Sequence, residues 1–183
     1  MIPAPFKVVL DACVLYPFTI RDALLQAAAN GFYQVYWSEM ILDEALRNLV
    51  EDGRMAEDKA ARLVATMRRA FPEAQVTDFE NLIPSMRNDE KDRHVVAAAV
   101  KAGAQVIVTS NTRDFHDLPS GIEIQTPDEF LSNLFDLDRP RMIEVLETLA
   151  KRYQKPPMAI PRILDALALT EFGELVRAHL ASK

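Results

Sequence analysis

Short apolar runs alternate along this chain with segments of helical periodicity, and this alternation limits the fold more than any other feature. The runs Lys7–Leu10, Tyr33–Trp37 and Gln105–Thr109 have the length of strands and are mostly apolar. Strands of this kind belong to parallel sheets that helices cover on both faces. The sequence therefore predicts an α/β fold in three layers, with a short parallel sheet flanked by helices.

Helices are predicted from apolar residues at helical spacing, with Ser38 as an N-cap and glycine or proline at several ends. Two more short strands are expected over Ala74–Val76 and Ile122–Ile124. The predicted helices cover Ile20–Asn30, Glu39–Val50, Ala56–Ala70, Lys91–Ala102 and Asp128–Phe135.

From Arg139 onward the chain carries no strand pattern. Arg141–Arg152 reads as one helix, Lys155-Pro156-Pro157 breaks it, and Pro161–Leu180 reads as one or two more. Apolar stripes in these segments favour a docked helical region. We expect residues 1–138 to form one domain and residues 139–183 a helical C-terminal extension.

Composition limits the class of protein. The 183 residues are 49% hydrophobic, which is enough for a core, and no apolar stretch has the length of a membrane span. The single cysteine, Cys13, excludes an internal disulfide and is expected to be a small buried side chain in a reducing compartment. Asp11 interrupts the N-terminal apolar segment, so no signal peptide is recognised and a cytoplasmic protein is expected. The net charge of −6 argues against a protein that coats nucleic acid, but not against a nuclease.

Four acidic residues fall at strand ends or on helix faces, where a folding argument alone does not place them. They are Asp11 after the first strand, Glu44 beside the apolar face of its helix, Asp92 on the core-facing stripe of its helix, and Asp114 after Val106–Val108. Strand ends and helix starts of a parallel α/β fold meet at one edge of the sheet. Carboxylates gathered there repel one another unless a cation lies between them. The sequence therefore predicts an acidic site for a divalent metal.

Each of these acids also has an ordinary interpretation. Asp11 could cap a turn, and Asp92 could interact with a helix dipole. Asp114 could belong to a solvated Asx turn. Glu44 could be a solvated helix residue, with Asp43 as the competing candidate from the same helix.

Other polar residues lie near the acids in the sequence. Thr109 and Asn111 offer neutral oxygens to a metal-bound water or a phosphate. His94 lies about 160° from Asp92 on the helical wheel and is interpreted as a surface or interface residue, not a ligand. Candidate cations for substrate phosphates are Arg87, Lys91, Arg93 and Arg113. The predicted substrate-binding residues are Arg93 and Arg113 among these cations, together with the neutral Thr109 and Asn111.

The chain resembles the PIN-domain ribonucleases, particularly the VapC-like toxin components of bacterial toxin–antitoxin pairs. The segments that carry the resemblance follow the family's order: Val8–Leu15, Ser38–Leu46, Asp92–Ala99 and Val108–Phe115. The resemblance implies that Asp11, Glu44, Asp92 and Asp114 form a catalytic and metal-binding quartet for Mg²⁺ or Mn²⁺. It also implies an RNA substrate, an antitoxin partner and a homodimer.

Two features depart from the family's pattern. The family often has Asp-Thr-Asn or Asp-Thr-Ser after the first strand, whereas Ala12 and Cys13 follow Asp11 here. The region after Arg139 is longer than a minimal PIN domain.

Apolar residues that a small sheet would not fully cover support the expected homodimer: Phe18, Ile20, Tyr33 and Tyr36.

Two other functions stay open. A non-catalytic PIN-fold module could bind RNA or assemble with a partner, although the complete quartet argues against it. Another Mg²⁺-dependent phosphohydrolase could use Asp11 as a nucleophile, but such enzymes usually place a second aspartate two residues on, where this chain has Cys13. The sequence favours a metal-dependent endoribonuclease.

Overall fold

The predicted parallel sheet is confirmed by a computed structural model, which describes residues 6–152 and 159–182. Within those ranges, five parallel strands lie in the order β3-β2-β1-β4-β5. Their bounds are β1 Lys7–Leu10, β2 Gln34–Ser38, β3 Gln75–Val76, β4 Val106–Val108 and β5 Glu123–Gln125. The central strand is therefore β1, the first in the chain.

Helices cover both faces of the sheet, and their bounds lie close to those predicted. They are α1 Ala12–Leu15, α2 Phe18–Ala29, α3 Glu39–Glu51, α4 Glu57–Ala70, α5 Arg93–Ala102 and α6 Pro127–Leu137. Short 3₁₀ segments occupy Glu80–Ser85, Glu90–Asp92 and Thr112–Asp114. The sequence did not reveal α1, because four residues are too few to show a helical period.

The pairing of β1 with β4 sets the geometry of the sheet's carboxyl edge. Leu10 lies opposite Val108, so the two strands end level with each other. The backbone N–H of Asp11 then donates to the carbonyl oxygen of Val108 at 3.1 Å. Because β2 lies on the other side of β1, this edge is the switch point at which α/β folds place their sites.

Helix α5 is buried on more than one side, which the sequence did not reveal. The 3₁₀ segment Glu80–Ser85 packs on it opposite the sheet, and Phe79 joins a second apolar cluster with Ala97 and Ala98. Residues His94–Ala99 are all buried as a result. The interpretation of His94 as a surface residue is therefore wrong, because it assumed that only one face of the helix is covered.

The C-terminal region is helical and packs on the rest of the chain. Its helices are α7 Arg139–Arg152, α8 Ile160–Leu167 and α9 Thr170–Ala181, whereas the predicted break at Lys155-Pro156-Pro157 lies outside the described residues. Helix α7 contacts α2, and α9 contacts α6. Leu149 and Val176 belong to the same hydrophobic cluster as the sheet residues. A domain boundary at residue 138 therefore stays a proposal.

Polar contacts join this C-terminal region to the sheet-bearing part. Arg141 donates to the carbonyl oxygen of Asn30, and its guanidinium lies 5.0 Å from the ring centroid of Phe32. Asp128, in the first turn of α6, accepts hydrogen bonds from the backbone N–H groups of Glu171 and Phe172 at 3.1 and 2.8 Å. One carboxylate thus caps the N-terminus of a helix that lies 43 residues further along the chain.

Two further expectations concern the surface. Tyr33 is buried inside the protomer and its hydroxyl donates to the carbonyl oxygen of Leu24 at 2.8 Å, so it offers nothing to a second copy. Phe18 is 55% exposed, in agreement with its expected position.

No helix among the described residues combines the length and the apolar character needed to cross a bilayer.

We predict that Asp128→Ala destabilises the protein by about 1 kcal/mol or more, because two N–H groups at the start of α9 lose their acceptor. Urea denaturation measures the free energy of unfolding. Asp136→Ala is the matched control on the same helix, since Asp136 forms an exposed ion pair with Arg139. Equal effects of the two substitutions would show that the cap does not hold α9 in place.

Candidate active site

Asp11 is held rigidly at the carboxyl end of β1. It is 4% exposed and forms the N-cap of α1, where its Oδ1 accepts from the backbone N–H of Ala12 at 2.7 Å. Its Oδ2 accepts from the hydroxyl of Thr109 at 2.7 Å. Since Thr109 follows β4, this bond links the ends of the two strands. The alternative interpretation of Asp11 as an N-cap is thus confirmed, and it explains how the carboxylate is oriented.

Cys13 departs from its expected role as a buried apolar side chain. It is half-buried, and its Sγ donates to Asp11 Oδ2 at 3.2 Å and lies 3.2 Å from Thr109 Oγ1. It also accepts from the backbone N–H of Ser110. Burial, and secondarily the Asp11 carboxylate, raise the pKa of Cys13 to about 12, so it stays a neutral thiol. The thiol therefore makes polar contacts at the place where the family often has an amide or hydroxyl.

Asp92 lies just before α5, at its N-cap position, and is 8% exposed. Its Oδ2 is buried and, within the described part of the chain, accepts no hydrogen bond; Lys91 Nζ lies 4.0 Å away. Burial, followed by the Asp11 carboxylate, raises the pKa of Asp92 to about 6. Asp114 and Glu44 add to that increase, whereas Lys91 opposes it. Asp92 therefore lies within electrostatic reach of all three other acids.

Asp114 lies on the 3₁₀ segment that follows β4. It accepts from the Asn111 amide and from Lys91 Nζ, the latter at 2.6 Å. Lys91 first, and then Asn111, hold the pKa of Asp114 below its usual value. The carbonyl oxygen of Asp114 accepts from the backbone N–H of Asp89, which joins this loop to the segment before α5.

Glu44 projects from α3 toward α5 and is paired with His94. Their Oε2 and Nε2 atoms are 3.5 Å apart, and the hydrogen bond from His94 is the main cause that lowers the pKa of Glu44. His94 is 7% exposed, and its Nδ1 is buried without a partner in the described residues. Sequence reasoning missed this histidine, although its position two residues after Asp92 was the available signal.

A cavity of about 410 Å³ opens beside Asp92, between α3 and the start of α5. One face of α3 forms a wall at helical spacing, with Asp43 next to Glu44. The residues that line it are Met40, Asp43, Glu44, Arg47, Lys91, Asp92 and His94. Arg93 and Arg113 do not line this cavity. Arg93 donates through Nε to the carbonyl oxygen of Asn88 at 3.1 Å, and Arg113 is exposed.

The donor set fits a hard divalent cation. Carboxylate oxygens are the ligands that Mg²⁺ and Mn²⁺ prefer. The buried Oδ2 of Asp92 meets no hydrogen-bond donor in the described residues, and a buried charge of this kind is costly unless a positive charge lies close to it. Among the described residues, no three His, Cys, Asp or Glu side chains stand close enough to form a complete ligand set. Mg²⁺ usually keeps several waters and takes only one or two protein carboxylates directly, so a complete protein cage is not required.

The fold and the acidic edge define a PIN domain. A family model of the PIN domain matches residues 7–113, more than half of the 183 residues, and the chain belongs to this family. A second family model, the VapC50 C-terminal domain, matches residues 127–178. It begins at α6, ahead of the expected boundary at residue 138.

A curated relative carries a more particular name. Over 92 residues the chain is 40% identical to the Mycobacterium tuberculosis (strain ATCC 25618 / H37Rv) protein named "Putative ribonuclease VapC50". The match covers 49% of this chain and 54% of that relative, so it spans about half the length of each. The resemblance to VapC-like proteins is confirmed.

We predict that Asp92→Asn stabilises the metal-free protein at pH 7.5 by about 1 kcal/mol. The folded-state pKa of about 6 lies above the ordinary value of 3.8, so ionising Asp92 costs more in the folded state. The penalty is complete above pH 6 and absent below about pH 3.8, so the advantage of the variant should disappear near pH 4. Melting temperatures across this pH range, measured with EDTA, test the prediction.

Asp117→Asn, a change in an exposed loop, is the control for the loss of one charge. A lower melting temperature for Asp92→Asn at pH 7.5, corresponding to a loss of about a few tenths of a kcal/mol or more in the free energy of unfolding, would instead identify Asp92 as a helix-dipole residue.

Proposed function

We propose that this chain is a Mg²⁺- or Mn²⁺-dependent endoribonuclease that hydrolyses phosphodiester bonds of RNA. The observation that carries the proposal is the buried oxygen of Asp92, which meets no hydrogen-bond donor among residues 6–152 and 159–182 and lies within electrostatic reach of Asp11, Glu44 and Asp114. This arrangement occurs at the switch point of a PIN-family sheet, where a divalent cation would relieve the repulsion.

Asp11, Glu44, Asp92 and Asp114 are the residues that would hold the ion. When bound, a divalent ion neutralises charge on the scissile phosphate and lowers the pKa of the attacking water. The protein contributes orientation: Thr109 and Ala12 fix Asp11, and His94 fixes Glu44. Such positioning lowers the barrier because the carboxylates need no reorganisation during the reaction.

Asn111 and Thr109 would act by positioning, not by binding RNA. Both donate to carboxylates of the quartet, Asn111 to Asp114 and Thr109 to Asp11. This differs from the expectation that their oxygens face a phosphate. The bond from Asn111 stabilises the ionised form of Asp114.

Basic residues at the rim would bind the phosphates of RNA on either side of the cleaved bond. Arg93 and Arg113 flank Asp92 and Asp114 in the sequence, and Arg47 lies in the wall of the cavity. Met40, which is 43% exposed at the same wall, offers an apolar surface to an unstacked base. With a net charge of −6, the protein would depend on these local cations for RNA binding.

The aspartyl-nucleophile alternative gains no support from the geometry. Both oxygens of Asp11 accept hydrogen bonds, and the residue is 4% exposed, which disfavours an in-line attack of Asp11 on a phosphorus atom. Two residues on, Cys13 has a pKa raised to about 12 and is no general acid at neutral pH.

We further propose that the protein is the toxin of a toxin–antitoxin pair, with an antitoxin protein and a second copy of itself as partners. The name of the M. tuberculosis relative and the match to the VapC50 C-terminal domain support the assignment to this class. Exposed Phe18, with partly exposed Ile20 and Tyr36, supports a homodimer. Light scattering at micromolar concentration would reject the dimer if it returned the mass of one chain.

We predict that the purified protein cleaves single-stranded RNA with Mn²⁺ or Mg²⁺ and not with EDTA. Asp11→Asn and Asp92→Asn should each lower the cleavage rate by about 100-fold or more, because each removes a charge that would hold the ion. Glu51→Gln, at the exposed end of α3, is the control and should leave the rate unchanged. Rates are measured on a fluorescently labelled oligonucleotide at constant ionic strength.

Two results would contradict the proposal in different ways. Cleavage that EDTA does not affect would reject the role of the metal. RNA binding without cleavage under all metal conditions would favour the non-catalytic RNA-binding module.

A further inference from the structure

Lys91 occupies a position that none of the proposed roles above explains. Its ammonium group lies 2.6 Å from Asp114 Oδ2 and 4.0 Å from Asp92 Oδ2, so one cation bridges two carboxylates from separate segments. Asp114 follows β4, whereas Asp92 precedes α5. Lys91 also lines the cavity beside the acids.

We propose that the Lys91 ammonium group is the resident cation of the metal-free site and competes with the divalent ion for Asp92 and Asp114. The inference rests on the proposed function, because it concerns the affinity of the same site for metal. The sequence had offered Lys91 only as a contact for substrate phosphates.

The covalent geometry makes Lys91 an effective competitor. It lies in the 3₁₀ segment Glu90–Asp92, directly before one of the two acids, so its amino group cannot diffuse away from the site. A tethered group reaches an effective concentration in the millimolar range or higher. Its side chain is 64% exposed, and it can therefore move into solvent when a stronger cation arrives.

Competition has two components. A divalent ion that binds Asp114 must break the contact with Lys91, and the displaced ammonium group then still repels the ion from a short distance. In exchange, Lys91 provides the metal-free protein with a positive charge 2.6 Å from Asp114 Oδ2. The residue thus supports the fold without metal and weakens the binding of metal.

The test is calorimetric titration of Mn²⁺ into EDTA-treated, dialysed protein, which requires no catalysis. Lys91→Met keeps the length of the side chain and removes its charge, and it should lower the Kd for Mn²⁺ by about tenfold. Lys91→Arg keeps the charge and should bind Mn²⁺ no more tightly than wild type. Lys101→Met, at the far end of α5 and about 15 Å along the helix, is the matched control and should leave the Kd unchanged.

Thermal melts give a second readout with a characteristic sign. Lys91→Met should melt at or below the wild-type temperature with EDTA and gain more from saturating Mn²⁺. Asp92→Asn should melt at a higher temperature than wild type with EDTA, and its melting temperature should rise less on addition of saturating Mn²⁺. Melting curves also show whether Lys91→Met is folded. If it is not, Lys91→Gln, which likewise removes the charge, takes its place in the titration under the same criterion.

The outcomes separate this inference from the proposed function. Mn²⁺ binding to wild type with an equal Kd for Lys91→Met shows only an exposed ion pair and overturns the inference alone. Weaker binding by Lys91→Met shows that Lys91 positions the acids for metal, which also overturns it. No Mn²⁺ binding by any variant, together with no metal-dependent cleavage, rejects both proposals.

Discussion

The site depends on the parallel pairing of β1 with β4. Because Leu10 and Val108 are in register, the residues after the two strands lie side by side, and the Asp11 N–H continues the ladder to Val108. Thr109 can then donate to Asp11 at 2.7 Å. A shift of one residue would turn the side chains of one strand to the opposite face and separate this pair. The hydrogen bonds that pair β1 with β4 therefore also fix the position of Thr109 relative to Asp11.

The remaining chemistry follows from how the protein compensates each negative charge. Asp11 accepts hydrogen bonds from Ala12 and Thr109. Asp114 pairs with Lys91 and accepts a hydrogen bond from Asn111, and Glu44 pairs with His94. Asp92 is the exception, since its Oδ2 has no hydrogen-bond partner in the described part of the chain, Lys91 Nζ lies 4.0 Å away, and burial opposes its charge. A polar residue left in this state stores unfavourable free energy in the metal-free fold, and a bound cation would release it.

Much of this arrangement could be predicted from the sequence, for physical reasons that differ between residues. The buried position of Asp92 could be predicted because Val95, Val96 and Ala99 define the buried stripe on which it lies. Asp11 and Asp114 were recognisable because they follow apolar strands. The apolar character of the short strands was enough to predict a parallel sheet. The spatial order of these strands in the sheet could not be predicted from the sequence.

The residues that escaped prediction depend on contacts distant in sequence. The segment Glu80–Ser85 covers α5 from outside the sheet, and no helical wheel of α5 can show this second layer. Cys13 could be classed only by its average behaviour, since its polar contacts require Thr109, 96 residues away. Likewise, the sequence could not show that Lys91 pairs with Asp114, because Asp114 lies in the loop after β4 and Lys91 lies before α5.

The sheet becomes narrower toward both sides, and this shape has a consequence for assembly. From four and five residues in β1 and β2, the strands shorten to two in β3 and three in β5, which are the outer strands. Outer strands this short present few free backbone groups to an added strand. Self-association or capture of another polypeptide by extending the sheet is therefore disfavoured.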